Sequence, residues 1–142
     1  MWLFKKRPKI IKKREPKPLQ EVMTEAWLLE EKNIVTGLSY AEAVKHRCCG
    51  QGVIRAEYKI LKKIFGKPSC DYGHKTDGKT RKEWIIKIDG VVCTIYDWKQ
   101  GKHYRGYRPL SRATWSVGGS HPISRRLVQG VIDAYMIEKG LI

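Results

Sequence analysis

The sequence contains no uninterrupted apolar run approaching the roughly 20 residues that a bilayer crossing demands, so no spanning helix and no membrane partner are expected. It has no C-x-x-C pair either. Its cysteines are Cys48, Cys49, Cys70 and Cys93, and an adjacent Cys-Cys pair is a poor half of a disulfide framework or a zinc knuckle. Reduced thiols without metal are therefore expected. A zinc reading would have to gather His46, Cys48 or Cys49, Cys70 and His74 around one ion. The apolar opening Met1-Trp2-Leu3-Phe4 stops at Lys5 with no long hydrophobic region behind it, so a secretory leader is not expected and the cytoplasm is the expected location. Catalytic signatures are also missing. Ser120 and His121 are sequence neighbours and cannot form a hydrolase pair with a third orienting group, so the chain reads as a non-enzyme without a cofactor.

Negative charge is the scarcest commodity. Asp and Glu number 14 against 29 Lys and Arg, giving +15 over 142 residues. A balanced surface would serve solubility with less self-repulsion, whereas a single-sign excess concentrates polyanions near the surface. An anionic partner carrying phosphate is expected, either a nucleotide or a nucleic acid. Residues 1–18, MWLFKKRPKIIKKREPKP, hold eight Lys or Arg against Glu15 and three prolines, a composition unable to bury enough surface to fold alone. They read as a flexible basic arm. The remaining residues, 19–142, still hold 21 basic against 13 acidic side chains, or +8. They form one α+β domain of a size that closes its own core.

Within that domain, Leu19, Val22, Met23, Ala26 and Trp27 recur at helical spacing. Ser39 and Glu42 make an S-x-x-E capping box that opens a helix over about residues 40 to 49, closed by Gly50. Ile54, Tyr58, Leu61 and Phe65 form the stripe of a further helix ending at Gly66 and Pro68, with Lys59, Lys62 and Lys63 facing away. Residues 67–82 carry turn formers without periodicity and read as a loop. EWIIKI, then Asp89-Gly90, then VVCTIY is the clearest signal, two strands joined by a dipeptide suited to a type I′ turn. That register opposes Ile88 to Val91, Ile86 to Cys93 and Trp84 to Ile95, making one face wholly apolar. Ala113 to Val117 supplies a third strand. Gly118-Gly119-Ser120-His121-Pro122 then breaks the chain before a last helix with Ile123, Leu127, Val128, Val131, Ile132, Tyr135 and Met136 on its buried stripe. The expected fold is a small antiparallel sheet, the central hairpin plus a third strand, packed against helices.

Three places invite chemistry. Lys99 to Arg112, KQGKHYRGYRPLSR, interleaves Lys99, Lys102, Arg105, Arg108 and Arg112 with Tyr104 and Tyr107 and contains no acid, joining guanidinium forks for phosphate to rings for bases. Gly119 and Ser120 precede a helix whose first turn holds Arg125 and Arg126, where backbone N–H groups and the helix dipole attract anions. Finally, Glu83 opens one hairpin strand while Asp97 and Lys99 close its partner. That layout, in the manner of PD-(D/E)XK nucleases, would let carboxylates hold a divalent cation while lysine polarises water.

The succession Leu61, Phe65-Gly66-Lys67-Pro68, Trp84, Asp89-Gly90, Thr94-Ile95-Tyr96-Asp97-Trp98-Lys99, then Trp115-Ser116-Val117-Gly118-Gly119, resembles small bacteriophage proteins with an F-G-x-P…W…DG…TIYDWK…W-x-[IV]-G-G core. It covers roughly residues 61 to 119. The resemblance implies a phage origin and, with it, antagonism of host immunity in the infected cell, as in the anti-Thoeris and anti-CBASS sponges that sequester nucleotide signals. A sponge built from so small a domain is expected to enclose its ligand as a homo-oligomer.

Overall fold

The computed structural model describes residues 32–46, 48–72 and 79–142. The basic arm and the helix expected from Leu19 to Trp27 lie outside the described residues. The fold is α+β. Six antiparallel strands form one sheet: β1 (Ile34–Val35), β2 (Cys49–Ile54), β3 (Cys70–Asp71), β4 (Lys82–Ile88), β5 (Val91–Tyr96) and β6 (Trp115–Gly119). Their order is β1-β4-β5-β6-β2, with β3 sharing β4's outer edge with β1. Among the described residues three α-helices accompany them, α1 (Tyr40–Lys45), α2 (Tyr58–Phe65) and α3 (Ser124–Glu138).

The β4–β5 hairpin has the register its sequence dictates, Ile88 opposite Val91, Ile86 opposite Cys93 and Trp84 opposite Ile95. Asp89 and Gly90 take the positive φ values, 45° and 85°, that the tight turn requires. The turn also holds β1, because Asp89 donates its N–H to the Asn33 carbonyl at 2.8 Å and accepts the Asn33 N–H on Oδ1 at 2.6 Å. Every side chain of the apolar face is buried, joined by Trp115 and Val117 from β6 and covered by α2 and α3. At its centre the Trp84 and Trp115 rings meet edge to face at 5.4 Å, and Tyr58 stacks on Trp115 at 6.1 Å. Such ring pairs add about 0.5–1.5 kcal/mol each to the burial of their area. The expected stripe of α3 is buried from Ile123 to Tyr135, with Met136 packed at its edge.

The structure corrects several boundaries. The helix expected over residues 40 to 49 ends at Lys45, and Ser39 occupies its N-cap position without a side-chain hydrogen bond. The chain then enters β2, so Gly50 lies in a strand. This segment has little strand character of its own; it is extended because it pairs with β6, from Cys49 opposite Gly119 to Ile54 opposite Trp115, with an irregularity between Gly50 and Gly52. Ile54 consequently belongs to a strand and not to the helical stripe of α2. The expected loop 67–82 contributes the short β3 and the first residue of β4.

Gly118 and Gly119 do not break the chain before the last helix. They continue β6, and their lack of Cβ atoms serves close approach on both faces. A methyl at Gly119 would overlap the Ser124 side chain and lie 3.0 Å from the Val92 carbonyl oxygen, while one at Gly118 would lie 2.7 Å from Thr94 Oγ1. The start of α3 thereby seats directly on the sheet.

Candidate functional site

Among the described residues, the opposite sheet face is covered only in part. Ala43 of α1 packs on Ile85 and Val92, with Leu38, Cys48 and Cys70 around them. Beyond that small cluster the face opens into a cleft with two lobes that share Tyr40, Glu83 and Tyr96. The smaller lobe, about 190 Å³, runs over Thr94 and Gly118 between α1 and the start of β2. The larger, about 660 Å³, is walled by Tyr72, Lys79, Thr80 and Trp98, and its volume lies within the range of small-ligand sites.

The register builds this cleft. Glu83 stands opposite Tyr96, and Tyr96 is also paired with Ser116, so both project from adjacent strands to the same face. Two residues on, Trp98 projects likewise; its ring meets that of Tyr96 at 90° and 6.3 Å and remains 47% exposed. The Lys79 and Lys99 ammonium groups lie 5.9 and 5.6 Å from the Trp98 ring centre, close enough for cation–π attraction. Tyr72 donates its hydroxyl to Glu83 Oε1 at 2.7 Å. Burial pushes the Glu83 carboxyl above its ordinary value, Tyr72's hydrogen bond opposes that shift, and the Asp97 charge adds to it. Burial likewise raises the Tyr72 and Tyr96 hydroxyls and the Cys48 and Cys70 thiols.

Asp97 points the other way. Its fully buried carboxylate accepts the Arg81 and Lys82 backbone N–H groups on Oδ1 at 2.9 and 3.0 Å and the Arg81 guanidinium on Oδ2 at 2.6 Å. Arg81 also donates to the Arg108 carbonyl at 2.7 Å. Asp97 thus clamps the roots of two loops. Glu83 does lie close to it, as the nuclease layout required, but Asp97's oxygens are committed to Arg81 and Lys82. Lys99 in turn takes φ 53° and gives its N–H to the Lys79 carbonyl. Among the described residues no group of three or more His, Cys, Asp or Glu could hold a metal ion. Of the conceivable zinc set, His74 lies outside the described residues, and Cys48, Cys49 and Cys70 are free thiols.

The basic loop after Lys99 is closed at its neck. The Gln100 side chain donates to the Thr114 carbonyl at 2.7 Å and accepts the Thr114 N–H at 2.9 Å, and the Arg108 N–H reaches the Gln100 carbonyl. Beyond the neck, Lys102, Arg105, Tyr107, Arg108 and Arg112 are exposed and Tyr104 is half-buried. The loop springs from Trp98 and Lys99, hence from the wall of the larger lobe.

The second expected anion site is arranged differently. The Ser120 N–H donates to the Val92 carbonyl at 2.9 Å, Gly119 is buried in β6, and α3 begins only at Ser124. Arg125 lays its aliphatic stem against Gly52 of β2, and Arg126 is exposed. The basic loop enters β6 at Trp115 and α3 leaves beyond Gly119. The strand β6, about 13 Å long, lies between the end of the basic loop and the segment leading to α3. The hairpin pattern already put Glu83, Thr94 and Tyr96 on one half-polar face that could line a ligand surface or lie under a loop; the residues the sequence reading missed are Tyr40, Tyr72 and Trp98, and the one local hint for Trp98 was the alternation within Tyr96-Asp97-Trp98-Lys99.

Among the described residues no helix is long and apolar enough to cross a membrane. No family model matches the chain, and no curated protein and no solved structure matches it either.

Proposed function

We propose that this protein binds a phosphate-containing nucleotide and holds it without turnover, and that in the setting of its phage-like core this sequesters an immune signal. The observation that carries the reading is the aromatic cleft of about 660 Å³ on the outer sheet face, opening beside a loop of exposed Lys and Arg in a chain of net charge +15. A planar base gains stacking energy on Tyr40, Tyr72, Tyr96 or Trp98, about 1–3 kcal/mol per base. Its phosphates then meet Lys79, Lys99 and the cations of the loop, among which Arg105, Arg108 and Arg112 offer two-pronged donors. This reading moves the stacking surface from Tyr104 and Tyr107 to the cleft and keeps the phosphate clamp in the loop. A second copy of the chain completes the enclosure of the ligand, as expected of a sponge built from so small a domain.

Calorimetry against cyclic oligonucleotides and cyclic ADP-ribose isomers, with recovery of the ligand after denaturation, tests the proposal. Sub-micromolar binding lost in Trp98→Ala and weakened in Arg108→Ala, with intact ligand recovered, is the expected result. Recovery of a cleaved product makes the protein an enzyme. A second reading, nucleic-acid binding, draws on the exposure of the loop's cations. It requires affinity for single-stranded DNA or RNA that falls steeply with salt through counterion release and survives Trp98→Ala better than Arg108→Ala.

A further inference from the structure

Among the described residues Glu83 is the one carboxylate lining either lobe of the cleft. Tyr72 engages one of its oxygens, and among the described residues no salt bridge is made to it. A half-buried carboxylate in a strongly basic protein, sharing its lobe with Tyr40, Tyr72, Tyr96 and Trp98 as well as Lys79, keeps acceptor capacity for a ligand's donors. An ionised carboxylate presents acceptor sites only, and its two oxygens lie side by side, so a planar group with two adjacent N–H donors engages both at once.

Resting on the nucleotide reading above, we propose that the cleft takes a guanine base, with the Glu83 carboxylate accepting the N1–H and the exocyclic N2–H of its Watson–Crick edge. The other bases fail this test by their chemistry. Adenine sets the acceptor N1 beside its amino group, and cytosine sets the acceptor N3 beside its own. Uracil flanks its single N–H with two carbonyl oxygens. Each would hold a lone pair against a carboxylate oxygen in a site partly withdrawn from water, where an unmatched polar contact is costly.

The surroundings agree with this assignment. Tyr72's hydroxyl fixes the carboxylate from the side at 2.7 Å, and an oxygen with two lone pairs can accept that bond and a base N–H together. Tyr40 and Tyr96 adjoin Glu83 in both lobes, placing π surface next to the edge reader. Burial disfavours the charged form of Glu83, and two N–H donors from a ligand relieve that cost directly.

The test compares GTP, ITP and ATP, and cyclic di-GMP against cyclic di-AMP, by calorimetry on the full chain at neutral pH. Hypoxanthine keeps N1–H and lacks the 2-amino group, so it isolates the second hydrogen bond. Guanine ligands are expected to bind about tenfold tighter than hypoxanthine and roughly ten- to a hundredfold tighter than adenine ligands, as for hydrogen bonds to a charged group. In Glu83→Gln the amide offers one acceptor and one donor, which cannot take guanine's N1–H and N2–H together, so the preference for guanine over hypoxanthine is expected to disappear. Thermal melting establishes that this variant is folded; if it is not, the order of the three triphosphates on the unaltered protein decides alone. Equal affinity for guanine and adenine ligands, or a preference for adenine, overturns the assignment and leaves the nucleotide reading standing. A preference for guanine over hypoxanthine retained in folded Glu83→Gln removes Glu83 from the role. No binding of any nucleotide removes both.

Discussion

Replacing Asp97 with Ala removes the acceptor for three hydrogen bonds at once, from the Arg81 and Lys82 N–H groups and from the Arg81 guanidinium. The carboxylate is fully buried and the Arg81 side chain is 20% exposed, so neither the backbone donors nor the cation is rehydrated without opening the loop roots. Deleting one partner of a buried pair costs about 3–5 kcal/mol, a large share of a domain stability of about 5–15 kcal/mol. For a chain of this length that corresponds to a fall in Tm of roughly 10–15 °C. Asp97→Asn keeps one oxygen for the two backbone donors and loses the charge that faces Arg81, so it should cost about half as much. Adding Arg81→Met to Asp97→Ala removes the orphaned guanidinium and should recover about 1–2 kcal/mol. Thermal and urea unfolding at neutral pH measure all three. If Asp97→Ala unfolds within about 1 kcal/mol of the unaltered protein, the clamp is not a structural unit, and Asp97 must be reconsidered as a residue kept for chemistry.

Ile86→Asp places an unpaired carboxylate in the centre of the apolar face and should leave no folded monomer, read as loss of a cooperative melt. Gly119→Ala should destabilise by about 1–3 kcal/mol through its collision with Ser124, and Gly119→Ala combined with Ser124→Gly should regain part of that loss in urea unfolding. Thiol labelling of the native protein should modify exposed Cys49 first and leave Cys93 untouched until unfolding, because burial pushes the Cys93 thiol up to about 12. The raised Glu83 carboxyl makes the folded state bind a proton more tightly than the unfolded state, so stability falls as pH rises from the ordinary carboxyl value through the raised one and levels off above it. Glu83→Gln should remove that portion of the slope, and an unchanged pH profile of urea midpoints would contradict the burial of this group.

The hairpin was legible because its information is local: a two-residue turn and a period of two settle which side chains face the core. The α3 stripe was legible for the same reason. β2 was not, since Cys49-Gly50-Gln51-Gly52-Val53-Ile54 carries two glycines and no sustained alternation, and its extended form comes from pairing with β6. Gly118-Gly119 misled in the same way, because two glycines signal a turn unless one knows that a helix will land on them. The cleft was the least legible feature. Tyr40, Tyr72, Glu83, Tyr96 and Trp98 come from α1, the segment after β3, β4, β5 and the turn beyond it, and only the antiparallel order of the sheet brings them to one place. The basic loop, by contrast, was visible as composition, since exposure of Lys and Arg follows from charge without any knowledge of the fold.

The run Tyr96-Asp97-Trp98-Lys99 ties these parts together physically. Continuing the strand's alternation for two residues past β5 sends Tyr96 and Trp98 toward the cleft and Asp97 inward, where it gathers Arg81 and Lys82. Arg81 in turn holds the Arg108 carbonyl, so one buried carboxylate fixes the place where the loop before β4 and the loop after β5 meet. Repulsion between two basic loops would otherwise drive their roots apart; a single negative charge in a site withheld from water counters it more effectively than one at the surface. Lys99, turned by its positive φ, is left above Trp98 with Lys79 nearby. Stability and site geometry are therefore coupled through Asp97. A substitution there disturbs the cleft wall without touching a ligand, whereas Trp98, being half exposed, can be removed with little cost to the fold.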